Sequence, residues 1–116
     1  MSAATRDLVI DKGEYYEHSF RWEDNNRQPY NLTGWTARMQ CRKTFKSTST
    51  ILDLTTENGG LEITPLEGKI TIIVTDTITE AITEAMGVYD LELIDTASKP
   101  KKFIRGTIKF PEEVTK

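Results

Sequence analysis

Apolar and polar residues alternate along most of this chain, and this period of two predicts β-strands. The alternation is clearest over residues 15–22, 35–42 and 103–110. The apolar or aromatic positions that recur at every second residue are Tyr16, His18, Phe20 and Trp22; Trp35, Ala37, Met39 and Cys41; and Ile104, Gly106, Ile108 and Phe110. Such a pattern is typical of antiparallel strands with one face on a core and the other in water.

Denser apolar runs and regularly spaced turn residues extend the same prediction. Residues 8–10 and 70–74 are almost wholly apolar, and Tyr89, Leu91 and Leu93 form a further inward face. Clusters of Gly, Pro, Asn and Asp interrupt these runs about every 8–12 residues, which is typical of a sandwich or barrel. We predict an all-β protein, an immunoglobulin-like antiparallel β-sandwich of about seven to nine strands.

One segment departs from the period of two. Ile78, Ala81, Ile82 and Ala85 recur at helical spacing, and Gly87 follows as a possible stop. Asp76 or Thr77 can cap the start, with Glu80 placed to complete a capping box. The pattern predicts one short helix near residues 77–86 that crosses from one sheet to the other.

Length and composition predict a single domain over residues 1–116, with short flexible termini at residues 1–6 and 112–116. The start lacks the apolar stretch of a signal peptide, so we expect synthesis in a cytoplasm. No apolar run approaches the ~20 residues that cross a bilayer, so no membrane partner is expected. The net charge of −3, with both signs mixed along the chain, argues against a dedicated nucleic-acid binder.

Candidate chemistry is sparse. His18 and Cys41 are the only histidine and cysteine, and a catalytic pairing of the two with an acid competes with a simpler placement of each in a strand. The acidic segment 23–26 offers oxygen ligands but lacks the spacing of a known calcium loop. We therefore predict no catalytic, cofactor-binding or metal-binding residues, and no internal disulfide.

Two basic clusters are candidates for binding phosphate or an acidic partner, or alternatively form the solvated face of strands. The first lies within residues 38–46 and the second within residues 99–105. Their members are Arg38, Arg42, Lys43 and Lys46, and Lys99, Lys101, Lys102 and Arg105.

Several segments in a fixed order give the chain a family resemblance. A loop Asn31-Leu32-Thr33-Gly34-Trp35 leads into a strand that alternates small apolar residues with arginine. It is preceded by Asp7-Leu8-Val9-Ile10-Asp11-Lys12-Gly13 and followed by Gly87-Val88-Tyr89-Asp90-Leu91 and Ile104-Arg105-Gly106-Thr107-Ile108. This arrangement resembles a family of small β-sandwich proteins of tailed bacteriophages and prophages. It is also similar to the N-terminal domain of phage baseplate upper proteins.

The landmarks of this resemblance are structural. Leu32 is expected to plug one end of the core, Gly34 to permit a tight bend, and Trp35 to begin a core-facing strand. Gly106 indicates a close approach or a bulge in the last strand. The predicted core comprises Leu32, Gly34, Trp35, Met39, Ile72, Tyr89, Leu91, Gly106 and Ile108.

The resemblance implies a non-enzymatic structural protein of a tailed bacteriophage virion. Its expected place is the tail, baseplate or fibre-attachment region, where it contacts other virion proteins and copies of itself in a symmetric particle. Two alternatives remain open. One is a capsid decoration protein, and the other is a receptor- or glycan-binding module that uses exposed Tyr15, Tyr30 or Phe45.

Overall fold

A computed structural model of the chain describes residues 4–112 and confirms the all-β prediction. These residues form nine strands, one α-helix and one 3-10 helix. The strands are β1 (Ala4–Thr5), β2 (Leu8–Val9), β3 (Tyr16–Arg21), β4 (Thr36–Arg42), β5 (Leu52–Thr55), β6 (Leu61–Thr64), β7 (Lys69–Val74), β8 (Met86–Ile94) and β9 (Pro100–Lys109). The 3-10 helix is Pro65–Glu67, and the α-helix, α1, is Asp76–Glu80.

The strands form two sheets that enclose one hydrophobic core. Sheet A has the order β1-β9-β8-β4-β5, with β2 continuing the β1 edge along β9, and sheet B has the order β3-β7-β6. Sheet A is mixed rather than purely antiparallel, because β1 and β2 both run parallel to β9. This departs from the antiparallel prediction, because the sequence of two such short strands does not indicate whether they pair parallel or antiparallel with a neighbour.

The connection between β5 and β6 crosses from one sheet to the other. Asn58, Gly59 and Gly60 join β5 of sheet A to β6 of sheet B, so they form a crossing between sheets and not a hairpin. Hairpins join β6 to β7 and β8 to β9.

The α-helix is shorter than predicted. It ends at Glu80, with Ala81 as its C-cap, and Met86 and Gly87 already belong to β8. Thr75 is the N-cap and makes no side-chain capping bond, so the predicted capping box was wrong. Thr79 instead donates a hydrogen bond to the Glu14 carbonyl at 2.8 Å, which ties the helix to the segment before β3. The helix does lie between the last strand of sheet B and the next strand of sheet A.

The core lies between the two sheets, and most of the residues predicted for it are buried there. Leu32, Met39, Ile72, Leu91 and Ile108 have no exposed surface, and Tyr89 is 2% exposed. Gly34 lies in a turn with a φ of +83°, outside the core.

Trp35 is a second correction to this set, after Gly34. It precedes β4, which begins at Thr36, and it packs half-buried against the margin of the core. Its ring meets that of Trp22 edge-on, with centroids 5.7 Å apart. Ala37, Met39 and Cys41 carry the inward face of β4 instead.

A β-bulge in β9 also changes which side chains face inward. Leu91 pairs with Ile104 while Glu92 pairs with Lys102, so Phe103 is the extra residue. Phe103 and Ile104 are therefore buried side by side. The alternation with Ile104, Gly106 and Ile108 places Phe103 on the solvated face. The bulge breaks this alternation by one residue, and the pattern of apolar and polar residues does not show where a bulge occurs.

Both chain ends are more ordered than the predicted flexible termini, as far as the structure describes them. Ala4 and Thr5 pair with β9, and Arg6 donates its backbone N–H to the Arg105 carbonyl at 2.9 Å. Glu112 accepts an ion pair from Lys12 at 2.7 Å. The remaining parts of the predicted termini, residues 1–3 and 113–116, lie outside the described residues.

Candidate interaction surface

The residues singled out for chemistry do not form a reactive group. Burial raises the pKa of the Cys41 thiol to about 12, and the nearby charge of Glu84 adds to this effect, so the thiol stays protonated at neutral pH. His18 is exposed on β3, where its ring lies between those of Tyr16 and Phe20. The inward-facing Cys41 belongs to the other sheet.

The acidic segment 23–26 is a self-contained turn. One carboxylate oxygen of Asp24 accepts hydrogen bonds from the backbone N–H groups of Asn26 and Gln28, at 2.8 and 3.0 Å. An isolated bridge between Glu23 and Pro29 closes the loop. Across residues 4–112, no three His, Cys, Asp or Glu side chains are grouped as metal ligands.

Sheet A carries an ionic cluster on the face away from the core. Glu92, in the central strand β8, accepts bonds from Arg38 on β4 at 2.7 Å and from Lys102 on β9 at 2.6 Å. Its side chain is only 6% exposed, whereas those of its two partners are more than half exposed. Lys102 also lies 3.3 Å from Asp90.

The partners of Glu92 decide its ionisation. Burial disfavours the charged form, but hydrogen bonds from Lys102 and Arg38 outweigh this cost and hold the pKa of Glu92 below its ordinary value. The bond to Glu92 in turn raises the pKa of Lys102, against a smaller opposing effect of burial. Two residues of the predicted basic clusters, Arg38 and Lys102, are therefore already paired with Glu92, which leaves them poorly placed to bind an external anion.

The connection between β4 and β5 extends from this face and displays an aromatic side chain. Thr44 and Ser47 close a tight turn, in which the Ser47 N–H donates to the Thr44 carbonyl at 3.1 Å. The Arg42 guanidinium braces the turn by donating to the Ser47 carbonyl at 2.9 Å. Phe45 lies at the tip of this turn and is 84% exposed.

Two cavities flank this turn. One, of about 120 Å³, lies against Phe45, Gln40, Arg42 and Val88. The other is an open groove of about 670 Å³ between Lys43 and Thr44 on one side and residues 83–88 on the other. Met86 lines the groove and is 47% exposed. We call this region, residues 42–47 with residues 83–88, the Phe45 surface.

An exposed phenylalanine on a braced turn beside a groove is a feature of protein contact sites, because an aromatic ring that is exposed to water is stabilised when a partner buries it. Arg42, Lys43 and Lys46 belong to the same segment of the chain as Phe45. Sequence reasoning named Phe45 only as one of three exposed aromatic residues. The signal that could have distinguished it is that Phe45 is the one apolar residue of the segment 42–50, where its direct neighbours are Thr44 and Lys46.

A second notable feature is the way the N-terminal edge strand is anchored. The Tyr89 hydroxyl donates to the Arg6 carbonyl at 2.6 Å, and the Asp7 carboxylate accepts bonds from the N–H and hydroxyl of Thr107 at 3.1 and 3.0 Å. These bonds lower the pKa of Asp7. Arg6 and Asp7 lie between β1 and β2, and their bonds to Tyr89 and Thr107 hold both strands along β9.

Comparison with known proteins adds no further assignment: no protein-family model matches this chain, and no curated protein matches its sequence. Among residues 4–112, no helix is both long and apolar enough to cross a lipid bilayer.

Proposed function

We propose that this chain is a non-enzymatic structural protein of a tailed bacteriophage virion, and that it works through protein–protein contacts in the tail, baseplate or fibre-attachment region. The proposed partners are other virion proteins and further copies of the chain in a symmetric particle. The observation that carries the contact function is the Phe45 surface, which combines an 84% exposed aromatic ring with an adjacent groove.

We also propose that the two sheets form an immunoglobulin-like sandwich. When β3 to β9 are taken as strands B, C, C′, D, E, F and G, sheet B has the order B-E-D and sheet A has the order G-F-C-C′. That division of strands is the one found in variable-type immunoglobulin domains without the C″ strand. The strand order supports the assignment, although the chain has a single cysteine and so lacks the usual disulfide between the sheets.

The landmarks of the phage resemblance occupy positions that agree with the proposal. Leu32 is fully buried, Gly34 adopts the left-handed conformation that favours glycine, and Arg38 alternates with inward-facing Ala37 and Met39. These positions support the fold part of the resemblance. The place in the virion depends on the resemblance itself.

Purified particles provide the direct test. We expect the chain to be detected in virions by mass spectrometry and to be located at the tail or baseplate by electron microscopy of particles that carry a tagged copy. Its absence from purified virions would contradict the proposal. A location on the capsid would favour the decoration alternative instead.

The Phe45 surface has its own test in the same particles. Phe45→Ser is expected to reduce incorporation several-fold, because the central apolar residues of an interface carry most of its binding energy. Leu66→Ser is the matched control, since Leu66 is an equally isolated apolar side chain, 73% exposed, on the 3-10 helix. Equal incorporation of both variants would remove Phe45 from the interface.

The glycan-binding alternative has less support from the geometry. Tyr15, Tyr30 and Phe45 lie on three separate segments, and no ring contact joins any two of them within the described residues. Tyr30 stacks on Trp22 at 4.1 Å, which presents one aromatic plane and not a cleft.

A further inference from the structure

Strand β3 forms an edge of sheet B. It pairs with β7 on one side, and on its other side no strand pairs with it among residues 4–112. The side chains of Glu17, His18, Ser19 and Arg21 are all exposed, which is consistent with an accessible edge. An edge strand of six residues is long enough to template pairing with another chain unless something prevents it.

The ladder with β7 shows which backbone groups point outward. The Trp22 N–H donates to the Gly68 carbonyl at 2.7 Å, and the Ile73 N–H donates to Gly60, next to β6. Hydrogen-bonded positions alternate along an antiparallel strand, so the even-numbered residues of β3 direct their N–H and C=O groups toward β7. The backbone groups of Glu17, Ser19 and Arg21 therefore point to the open edge.

The same three residues also share one face of the sheet. Phe20 pairs with Ile70 and is buried, so the even-numbered side chains face the core side. Glu17, Ser19 and Arg21 project from the opposite, outer face. Residues with outward backbone groups thus carry a negative, a neutral and a positive side chain in sequence.

We propose that β3 pairs antiparallel with β3 of a second copy of this chain, about a two-fold axis at Ser19. In that register, Ser19 lies opposite Ser19 of the second copy, and each Glu17 lies opposite an Arg21. The three facing pairs are all hydrogen-bonded pairs, so the edge gains about six backbone bonds. A two-fold arrangement of this kind closes as a dimer and does not continue as a fibre.

The charges select this register over its neighbours. A shift of two residues places Glu17 opposite Ser19 or opposite Glu23, and parallel in-register pairing places like charges together. Both alternatives lose the ion pairs, and like charges directly opposite are unfavourable. On the core side, the proposed register places His18 of one copy opposite Phe20 of the other, and Tyr16 opposite Trp22, so aromatic residues also face each other.

Existing contacts of the charged residues are compatible with the pairing. Glu17 accepts one bond from the Tyr15 hydroxyl at 3.0 Å, and Arg21 lies 3.1 Å from Glu67, with both members of that ion pair about half-exposed. A carboxylate has two acceptor oxygens and a guanidinium has five N–H donors, so each group can take a second partner.

Charge reversal tests the register. Sedimentation of the purified chain over a range of concentrations up to near-millimolar is expected to show a reversible monomer–dimer equilibrium. Glu17→Arg and Arg21→Glu should each weaken the dimer by about tenfold or more, because each places like charges opposite each other. An equimolar mixture of the two variants should form a heterodimer about as readily as the wild type forms its dimer, since every Arg then faces a Glu.

Three results would overturn the inference: a wild-type chain that stays monomeric throughout, a dimer insensitive to either reversal, or a mixture that associates no better than its components. Because the mixing experiment compares the same two proteins apart and together, a loss of folding in one variant cannot imitate the recovery. Thermal unfolding of each variant alone checks that both are folded.

A cysteine cross-link provides an independent measure of the same register. Facing hydrogen-bonded residues have Cα atoms about 5.5 Å apart, within the range of a disulfide. Ser19→Cys should form a covalent dimer on mild oxidation. Glu62→Cys, an exposed residue of β6 on the far edge of sheet B, should cross-link only slowly. Equal rates for the two variants would contradict pairing through β3.

This inference deepens the proposed function, since it names a second copy as one partner, but its tests use the purified chain alone. Failure of the β3 pairing would leave the virion proposal standing. Absence of the chain from virions would leave the dimer standing.

Discussion

Single atoms decide how the N-terminal edge strand docks. A Cβ added at Gly106 would lie 2.1 Å from the Arg6 carbonyl oxygen and 3.0 Å from the Asp7 carboxylate. The Arg6 carbonyl occupies that space and accepts a hydrogen bond from the Tyr89 hydroxyl. The absence of a side chain at Gly106 and the hydroxyl of Tyr89 therefore both hold the Arg6 segment in place. The bond also satisfies a hydroxyl group whose residue is 2% exposed.

Gly106→Ala is expected to displace the segment around Arg6 and to leave the Tyr89 hydroxyl without its acceptor, at a cost of about 2–4 kcal/mol in unfolding free energy. Chemical denaturation measures this loss. Gly59→Ala is the control, since an added Cβ there meets nothing within 4 Å and only the φ of +83° disfavours it, by about 1 kcal/mol. Equal losses for both variants would show that the close approach at Gly106 is not significant.

Trp35 and Met39 give a second comparison at this scale. Met39 is fully buried, and Met39→Ala should cost about 2–5 kcal/mol. Trp35 lies at the margin of the core, so Trp35→Ala should cost less than Met39→Ala despite the larger side chain. Denaturation of both variants in urea tests the order. A greater loss for Trp35 would place it in the core, as the sequence pattern first indicated.

The sequence predicted burial well wherever the period of two is unbroken. Along β4, residues 37, 39 and 41 alternate with polar residues, and all three are buried. It failed at residues whose burial depends on partners far along the chain. Lys12 is 7% exposed and forms an ion pair with Glu112, and Glu92 is 6% exposed and pairs with residues of two neighbouring strands.

At the scale of the element, sheet A is held together across its centre by charge. Glu92 joins β4, β8 and β9 through Arg38 and Lys102, in addition to the backbone ladders. The two cationic partners of this carboxylate lower its pKa and so favour the ionised form, which links the stability of the sheet to pH.

The sign of that dependence follows from the lowered pKa of Glu92. Its contribution to stability is fully present above the unfolded pKa, near 4.5, and is lost as the pH falls through the lower pKa of the folded state. We expect Glu92→Gln to lower the unfolding free energy at pH 7 by about 1–3 kcal/mol and to flatten its decline in acid. Denaturation at several pH values measures both effects.

Glu62→Gln is the control for this experiment, because it removes the same charge from an exposed position of sheet B. A variant at Glu92 that retains the wild-type slope in acid would show that the ionic cluster does not contribute to stability. Equal losses at pH 7 for Glu62 and Glu92 would lead to the same conclusion.

Element boundaries were harder to predict than element types. Residues 81–85 share apolar helical spacing with α1, yet the helix ends at Glu80 and Ala85 accepts a backbone bond from Phe110 at 2.9 Å. That long-range bond starts the pairing of β8 with β9. Local spacing carries no information about a partner strand more than twenty residues away, so the pattern extended the helix too far.

At the scale of the whole molecule, the two ends of the described chain lie together on β9. Parallel pairing brings Ala4 beside Ile104 and Leu8 beside Ile108, and the Lys12 N–H donates to the Pro111 carbonyl at 3.2 Å. Strands β1 and β2 therefore complete an edge of sheet A. They have a structural role in addition to any role in assembly.

The consequence is a prediction about truncation. Removing residues 1–6 takes away β1 and the acceptor of the Tyr89 hydroxyl, so the unfolding free energy should fall by about 2 kcal/mol. The substitution Arg6→Ala is the control, because it keeps the backbone carbonyl and removes only a side chain that is exposed. It should remain within about 0.5 kcal/mol of the wild type. Stability measured by denaturation, together with hydrogen exchange along β9, distinguishes the two. A truncated chain as stable as the wild type would mean that the edge strand adds no stability to sheet A, and its backbone would then be available for another partner.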